Sequence, residues 1–113
     1  PGLEWIGGRA LLPKNKVKLL LNLVLIANAT IPRGGKLTVR LENLDTAPVF
    51  TINANGPMVR VPPKFLELHA GRQLEEPIDA HSVQFYYTLL LARETGMAVS
   101  IHASPEEIVL KAA

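Results

Sequence analysis

Apolar positions follow two different rhythms along this chain. From Val17 to Ile31 they recur with helical spacing, and from Lys36 onward they alternate with polar residues. Pro13 followed by Lys14, Asn15 and Lys16 opens the helical stretch, because proline is tolerated in a first turn. Pro32 and the pair Gly34-Gly35 stop it near Thr30. Val17, Leu20, Leu21, Val24, Leu25 and Asn28 share one broad face, and Leu19, Leu23 and Ile26 carry apolar surface around the cylinder. A helix so apolar all round is expected to be buried on more than one side. The lysines at its start oppose the helix dipole by a few tenths to ~1 kcal/mol, so packing must outweigh them.

Leu37, Val39 and Leu41 alternate with Thr38, Arg40 and Glu42, which predicts a half-buried strand over Lys36 to Glu42. Asn43 to Pro48 reads as a turn and Val49 to Ile52 as the second strand of a hairpin, with Asn53 to Pro57 breaking the pattern. Pro62-Pro63 opens a short helix over Lys64 to His69, ended by Gly71. A polar loop follows over Arg72 to Ala80. A long helix is predicted from Ser82 to Thr95, with Asp79 or Ser82 as N-cap and Gly96 as a left-handed C-cap. Phe85, Tyr86, Leu89 and Leu90 are assigned to the core, and Tyr87 to its edge. Met97 to Ala103 and Glu107 to Lys111 are strands on either side of a Ser104-Pro105 turn. With Leu3 to Ile6 read as an opening strand, the order is β-α-β-β-α-α-β-β. That order predicts an α+β fold: a two-layer sandwich, its sheet mixed and mostly antiparallel, with the helices on one face.

Composition narrows the function classes. A chain of 113 residues suits one domain, and an apolar fraction of 48% with 19% charged residues marks it as folded. A net charge of +2 argues against binding that depends on neutralising phosphates, although Lys14, Lys16 and Lys18 cluster locally. Hence no nucleic-acid partner is expected. The absence of cysteine excludes disulfides and thiolate metal sites, and is compatible with the cytoplasmic setting expected here. The run Leu19 to Ala29 is interrupted by asparagines and is far shorter than the ~20 residues that cross a bilayer, so no membrane partner is expected. Opening at Pro1, within a strand approach, the chain is expected to be part of a longer protein.

Nucleophilic serine, HExxH, P-loop and GxGxxG signatures are all missing. His81 sits near Asp79 and Ser82, but capping or surface exposure explains it better than phosphate acceptance. His69 suits a helix C-terminus, and His102 has no evident partner. Three segments stand out instead: Asn22-Leu-Val-Leu-Ile26-Ala27 leading to Pro32-Arg-Gly34-Gly35, then Asn53-Ala54-Asn55-Gly56-Pro57-Met58, then Glu76-Pro-Ile-Asp-Ala-His-Ser-Val83.

In order and interval these segments resemble the ATP-binding domain of histidine kinases, the GHKL fold. The resemblance implies that two asparagines one helical turn apart would serve the metal, that an aspartate would accept the adenine amine, and that a glycine-rich loop would cradle phosphates. Here the first asparagine falls on Asn22 and the second on Ile26; the aspartate falls on Ala54, and Gly56 survives from the following turn. Isoleucine offers no oxygen to Mg²⁺. Loss of a charge-assisted hydrogen bond costs ~1.5–3 kcal/mol, one to two powers of ten in affinity. The third segment holds no glycine. No cofactor and no metal are therefore expected.

The resemblance narrows to the ChpT-type histidine phosphotransferases of bacterial phosphorelays. It rests on Leu3-x-Trp5, Asn22-x-x-x-Ile26-Ala27, Pro32-x-Gly34-Gly35, Asn55-Gly56-Pro57, Val83-Gln84-x-x-Tyr87-x-x-x-Leu91 and Gly96. Met97 departs from it, standing where many relatives have a second glycine. The family implies that residues 1–113 are a single degenerate ATPase-like domain, the C-terminal part of a protein whose histidine-bearing helical hairpin lies outside this chain. It also implies a homodimer, and as partners response-regulator receiver domains and a hybrid kinase receiver. Val59, Arg60 and Lys64, beyond the Gly56-Pro57 turn, become the expected docking contacts. The readings left open are a divergent but active kinase ATP domain and a purely structural dimerisation module.

Overall fold

The computed structural model describes residues 2–8, 11–72 and 79–113. Its elements are β1 (Gly2–Ile6), α1 (Lys14–Ala29), β2 (Lys36–Glu42), β3 (Val49–Asn55), α2 (Pro63–His69), α3 (Ala80–Thr95), β4 (Val99–Ala103) and β5 (Glu107–Ala112). The five strands form one sheet in the order β1-β2-β3-β5-β4. β1 runs parallel to β2, and every other neighbouring pair is antiparallel. The expected two-layer sandwich is therefore the observed one.

Strand alternation decides which face carries the helices. Leu37 and Val39 of β2, Phe50, Ile52 and Ala54 of β3, and Ile108, Leu110 and Ala112 of β5 are all buried. Cross-strand register aligns them, for Val39 pairs with Ile52 and Ile52 with Leu110. Leu19, Leu23 and Ile26 of α1 pack onto this surface. α3 lies against α1, and α2 against α3 through the rings of Phe65 and Phe85, with centroids 5.4 Å apart. The opposite sheet face carries Arg40 and Lys111 and stays open.

Three expectations need correction. β3 continues through Asn55, because Asn53 and Asn55 keep the alternation: they pair with Val109 and Glu107 of β5 while Ala54 turns inward. Polarity at those two positions signalled a break where it only marked the outer face. α1 is buried along Leu19, Leu20, Leu23, Ile26 and Ala27, whereas Val17, Leu21 and Leu25 are exposed. The sheet and α3 do cover it on two sides, as expected, but those two neighbours cannot surround the cylinder. On α3, Phe85 is buried but Tyr86 and Leu90 are exposed, for the same reason. The loop expected over Arg72 to Ala80 lies largely outside the described residues, and α3 begins at Ala80.

The helix ends match their chemistry. Asp79 caps α3 by accepting from the Ser82 backbone N–H at 2.8 Å. Gly96 adopts φ 72°, and the N–H groups of Gly96 and Met97 close back on Arg93 and Ala92. Met97 is buried in that closure. Among the described residues no helix is long and apolar enough to cross a membrane.

Candidate functional site

The topology brings the first two flagged segments together at one end of the sandwich. β3 runs opposite to β2, so the start of β2 lies beside the end of β3. The Pro32–Gly35 turn delivers the chain from α1 into β2 there. Gly35 backs onto the Asn55 backbone, and Gly56 sits against the Gly34 carbonyl and the Ile31 side chain. The α1 end, the glycine turn and the end of β3 thus form one closed corner.

Its interior is hydrocarbon. Ile26 is 1% exposed, and Ala54 and Ala27 are fully buried. Ala54 pairs with Leu37 and Ile108, both inward-facing and buried. Asn22, one turn before Ile26, is half-buried and spends its amide on its own helix, donating from Nδ2 to the Lys18 carbonyl at 2.8 Å. It does not cross to another helix. Among the described residues no group of three or more His, Asp or Glu side chains converges as a metal site would require. Of the segment Glu76 to Val83, residues 76–78 lie outside the described residues, and the remainder forms the start of α3.

Beyond Gly56 the chain crosses from the sheet to α2. Thr30, fully buried at the end of α1, bonds through Oγ1 to the Ala27 carbonyl at 2.6 Å, and its own carbonyl accepts from the Arg60 N–H at 2.7 Å. The backbone of Arg60 is thereby fixed while its side chain is exposed. Val59 is half-buried and packs against the core, so it anchors the segment more than it offers a contact. Lys64 bonds the Asp79 carboxylate at 3.2 Å, tying the start of α2 to the cap of α3. Of the three expected docking residues, Arg60 has the most open side chain.

Asp79 carries the one marked electrostatic perturbation of this region. The Ser82 backbone N–H, and with it Lys64, hold its carboxyl well below the usual carboxylate range. A depressed pKa means that the folded state favours the charged form. The stability it contributes is present above the ordinary carboxylate pKa of about 4 and is lost as pH falls below it. Asp79→Asn should therefore lower Tm at pH 7 and lower it progressively less as the pH approaches 2, read by thermal denaturation across that range. An equal loss at both ends would mean that charge has no part in the cap.

His81 is exposed at the start of α3, and His69 bonds the Val99 carbonyl through Nε2 at 2.6 Å, holding α2 against the edge strand β4. Sequence reasoning missed that contact, since nothing local to His69 marks a strand thirty residues away.

Comparison with known proteins places this geometry. Residues 1–107 match the model of the "Histidine phosphotransferase C-terminal domain" family. The chain is 67% identical over 112 residues to the protein phosphotransferase ChpT of Brucella abortus (strain 2308), spanning 99% of this chain and 54% of that protein. A solved structure described as a bacterial phosphotransferase superposes with TM-score 0.96 at 66% identity, over 100% of this chain and 55% of that one. The chain thus spans about half the length of both. Full-length ShkA, solved in complex with AMPPNP, matches with TM-score 0.64 at 16% identity, over 98% of this chain and 25% of that one. The mycobacterial sensor histidine kinase MprB matches with TM-score 0.63 at 18% identity, over 98% and 78%. These two share the fold.

Proposed function

The chain belongs to the histidine phosphotransferase family, as its C-terminal domain, and from that premise we propose that it docks receiver domains in a phosphorelay and does not bind ATP. The observation that carries this reading is the hydrocarbon corner. Ile26 and Ala54 are buried where a metal-binding amide and an adenine-binding carboxylate would have to stand. A fold that kinases use for nucleotide is kept, and its outer surface is what remains to act.

The chemistry of the whole protein follows from its class. A histidine nitrogen attacks the phosphorus of an aspartyl phosphate on one receiver, the P–O bond to that carboxylate breaks, and a P–N bond forms. The second step reverses this toward the aspartate of another receiver. That histidine belongs to the helical hairpin outside this chain. The role of this domain is to hold the receiver in register, and the fixed backbone of Arg60 with its open guanidinium suits an acidic partner.

Two measurements test the reading. Arg60→Glu, in the chain joined to its histidine hairpin, should slow phosphotransfer about tenfold or more at unchanged Tm, because opposed charge at a rim contact acts on encounter. Transfer at the wild-type rate would remove Arg60 from the interface. Isothermal titration of Mg-ATP into the domain should give no binding heat; a saturable site would favour the divergent kinase instead.

A further inference from the structure

The helical layer turns a large apolar surface to solvent. On α1, Lys14, Val17, Lys18, Leu21 and Leu25 fall within about 100° of arc at 100° per residue. On α3, Val83, Tyr86, Tyr87 and Leu90 do the same. Leu21, Leu25, Val83 and Leu90 are 51%, 57%, 54% and 48% exposed. α1 and α3 pack on each other, and strand directions make them antiparallel: α1 returns the chain from β1 to a parallel β2, while α3 ends where β4 begins. Leu25 thus stands toward the Val83 end and Val17 toward the Leu90 end, and the two stripes lie on neighbouring helices. Soluble monomers rarely leave large apolar patches uncovered.

Charge says what covers it. Three lysines occupy the first turns of α1, where no acidic residue offsets them. Among the described residues no carboxylate lies within 4 Å of Lys14, Lys16 or Lys18. Lys14 and Lys18 also repel each other at i,i+4, and both oppose the helix dipole. Packing outweighs this cost, but among the described residues no counter-charge offsets it, which points to anionic groups brought from outside. Leucine and tyrosine beside the lysines call for a protein surface, since exposed tyrosines anchor protein interfaces.

We propose that the outer face of α1 and α3 is a second part of the receiver footprint: it takes an apolar patch of the receiver bordered by carboxylates, with Lys14 and Lys18 at its far edge. This rests on the docking reading above. The face begins where Arg60 is held, at the end of α1, and Lys14 lies roughly 24 Å away along that helix at 1.5 Å per residue. One small domain can span that distance.

The test is calorimetric titration of the domain, at low and high salt, with a receiver that exchanges phosphoryl groups with the histidine hairpin joined to it. The variants are Leu21→Ser/Leu25→Ser, Lys14→Glu/Lys18→Glu and Arg60→Glu. Each double variant should weaken binding about tenfold. The lysine variant should also flatten the salt dependence while its Tm holds or rises, since acidic residues suit a helix start. Wild-type affinity in both double variants, with Arg60→Glu weakened, would overturn the inference and leave the docking reading standing. No binding by the wild-type domain would overturn both. Binding to phosphatidylserine vesicles that both double variants abolish, with receiver affinity unchanged, would assign the face to a membrane instead. A dimer that Leu21→Ser/Leu25→Ser dissociates at unchanged receiver affinity would assign it to a second copy.

Discussion

Replacing Ala54 with aspartate is expected to destabilise this domain severely instead of creating a nucleotide contact. Position 54 has no exposed surface, and its neighbours across the sheet are Leu37 and Ile108. A carboxylate placed there loses its hydration and finds no cation or N–H donor, because the strand N–H groups already serve the ladder. It would take up a proton, and the neutral acid would still be buried without partners. The cost of an unsatisfied group plus overpacking is about 4 kcal/mol or more. A domain of this size has ~5–15 kcal/mol in total. The urea midpoint should fall by about a quarter or more of its value at an unchanged m-value. Arg40→Asp puts the same carboxylate on the open face and should cost less than about 1 kcal/mol. If Ala54→Asp melts like the parent and binds Mg-ATP, the corner is open to solvent and the reading of a filled site fails.

Gly35→Ala should be the more damaging of two adjacent glycine substitutions. Gly35 has φ 144°, and an added Cβ would run into the Asn55 carbonyl. Its own carbonyl accepts from the Gly2 N–H at 3.0 Å, and the next residue, Lys36, pairs with both Gly2 and Asn55. Neither neighbour can retreat without opening the sheet where β1, β2 and β3 meet. The strain and clash together cost about 3 kcal/mol or more, equivalent to a Tm lower by roughly 10–20 °C. Gly34→Ala is the internal control. At φ 83° an alanine there is strained, but its Cβ meets nothing within 4 Å, so about 1 kcal/mol is expected. Differential scanning calorimetry of the two variants decides the matter. Equal losses would show that backbone strain alone sets the cost and that the contact with Asn55 is soft.

Much of the architecture was legible because it rests on local rules. The alternation of Leu37, Val39 and Leu41 placed β2, and the Asp79 and Gly96 caps bounded α3 correctly to within two residues. The apolar filling of the corner was legible in residue type, since Ile26 and Ala54 are apolar in any fold. Burial was less accessible. Periodicity states which residues share a face, but it cannot say how many neighbours that face will meet.

Read alone, the chain determined the order of its elements, the absence of oxygen ligands at positions 26 and 54, and the basic start of its first helix. These are properties of residue type and short-range spacing, which physics reads within a few turns. Only the tertiary structure decided that Ala54 is sealed, that Arg60 is held by Thr30, and that Leu21, Leu25, Val83 and Leu90 face solvent. Those outcomes depend on how many layers the sheet and helices form. Two layers leave one side of each helix without a neighbour, and no pattern within a single helix encodes that number.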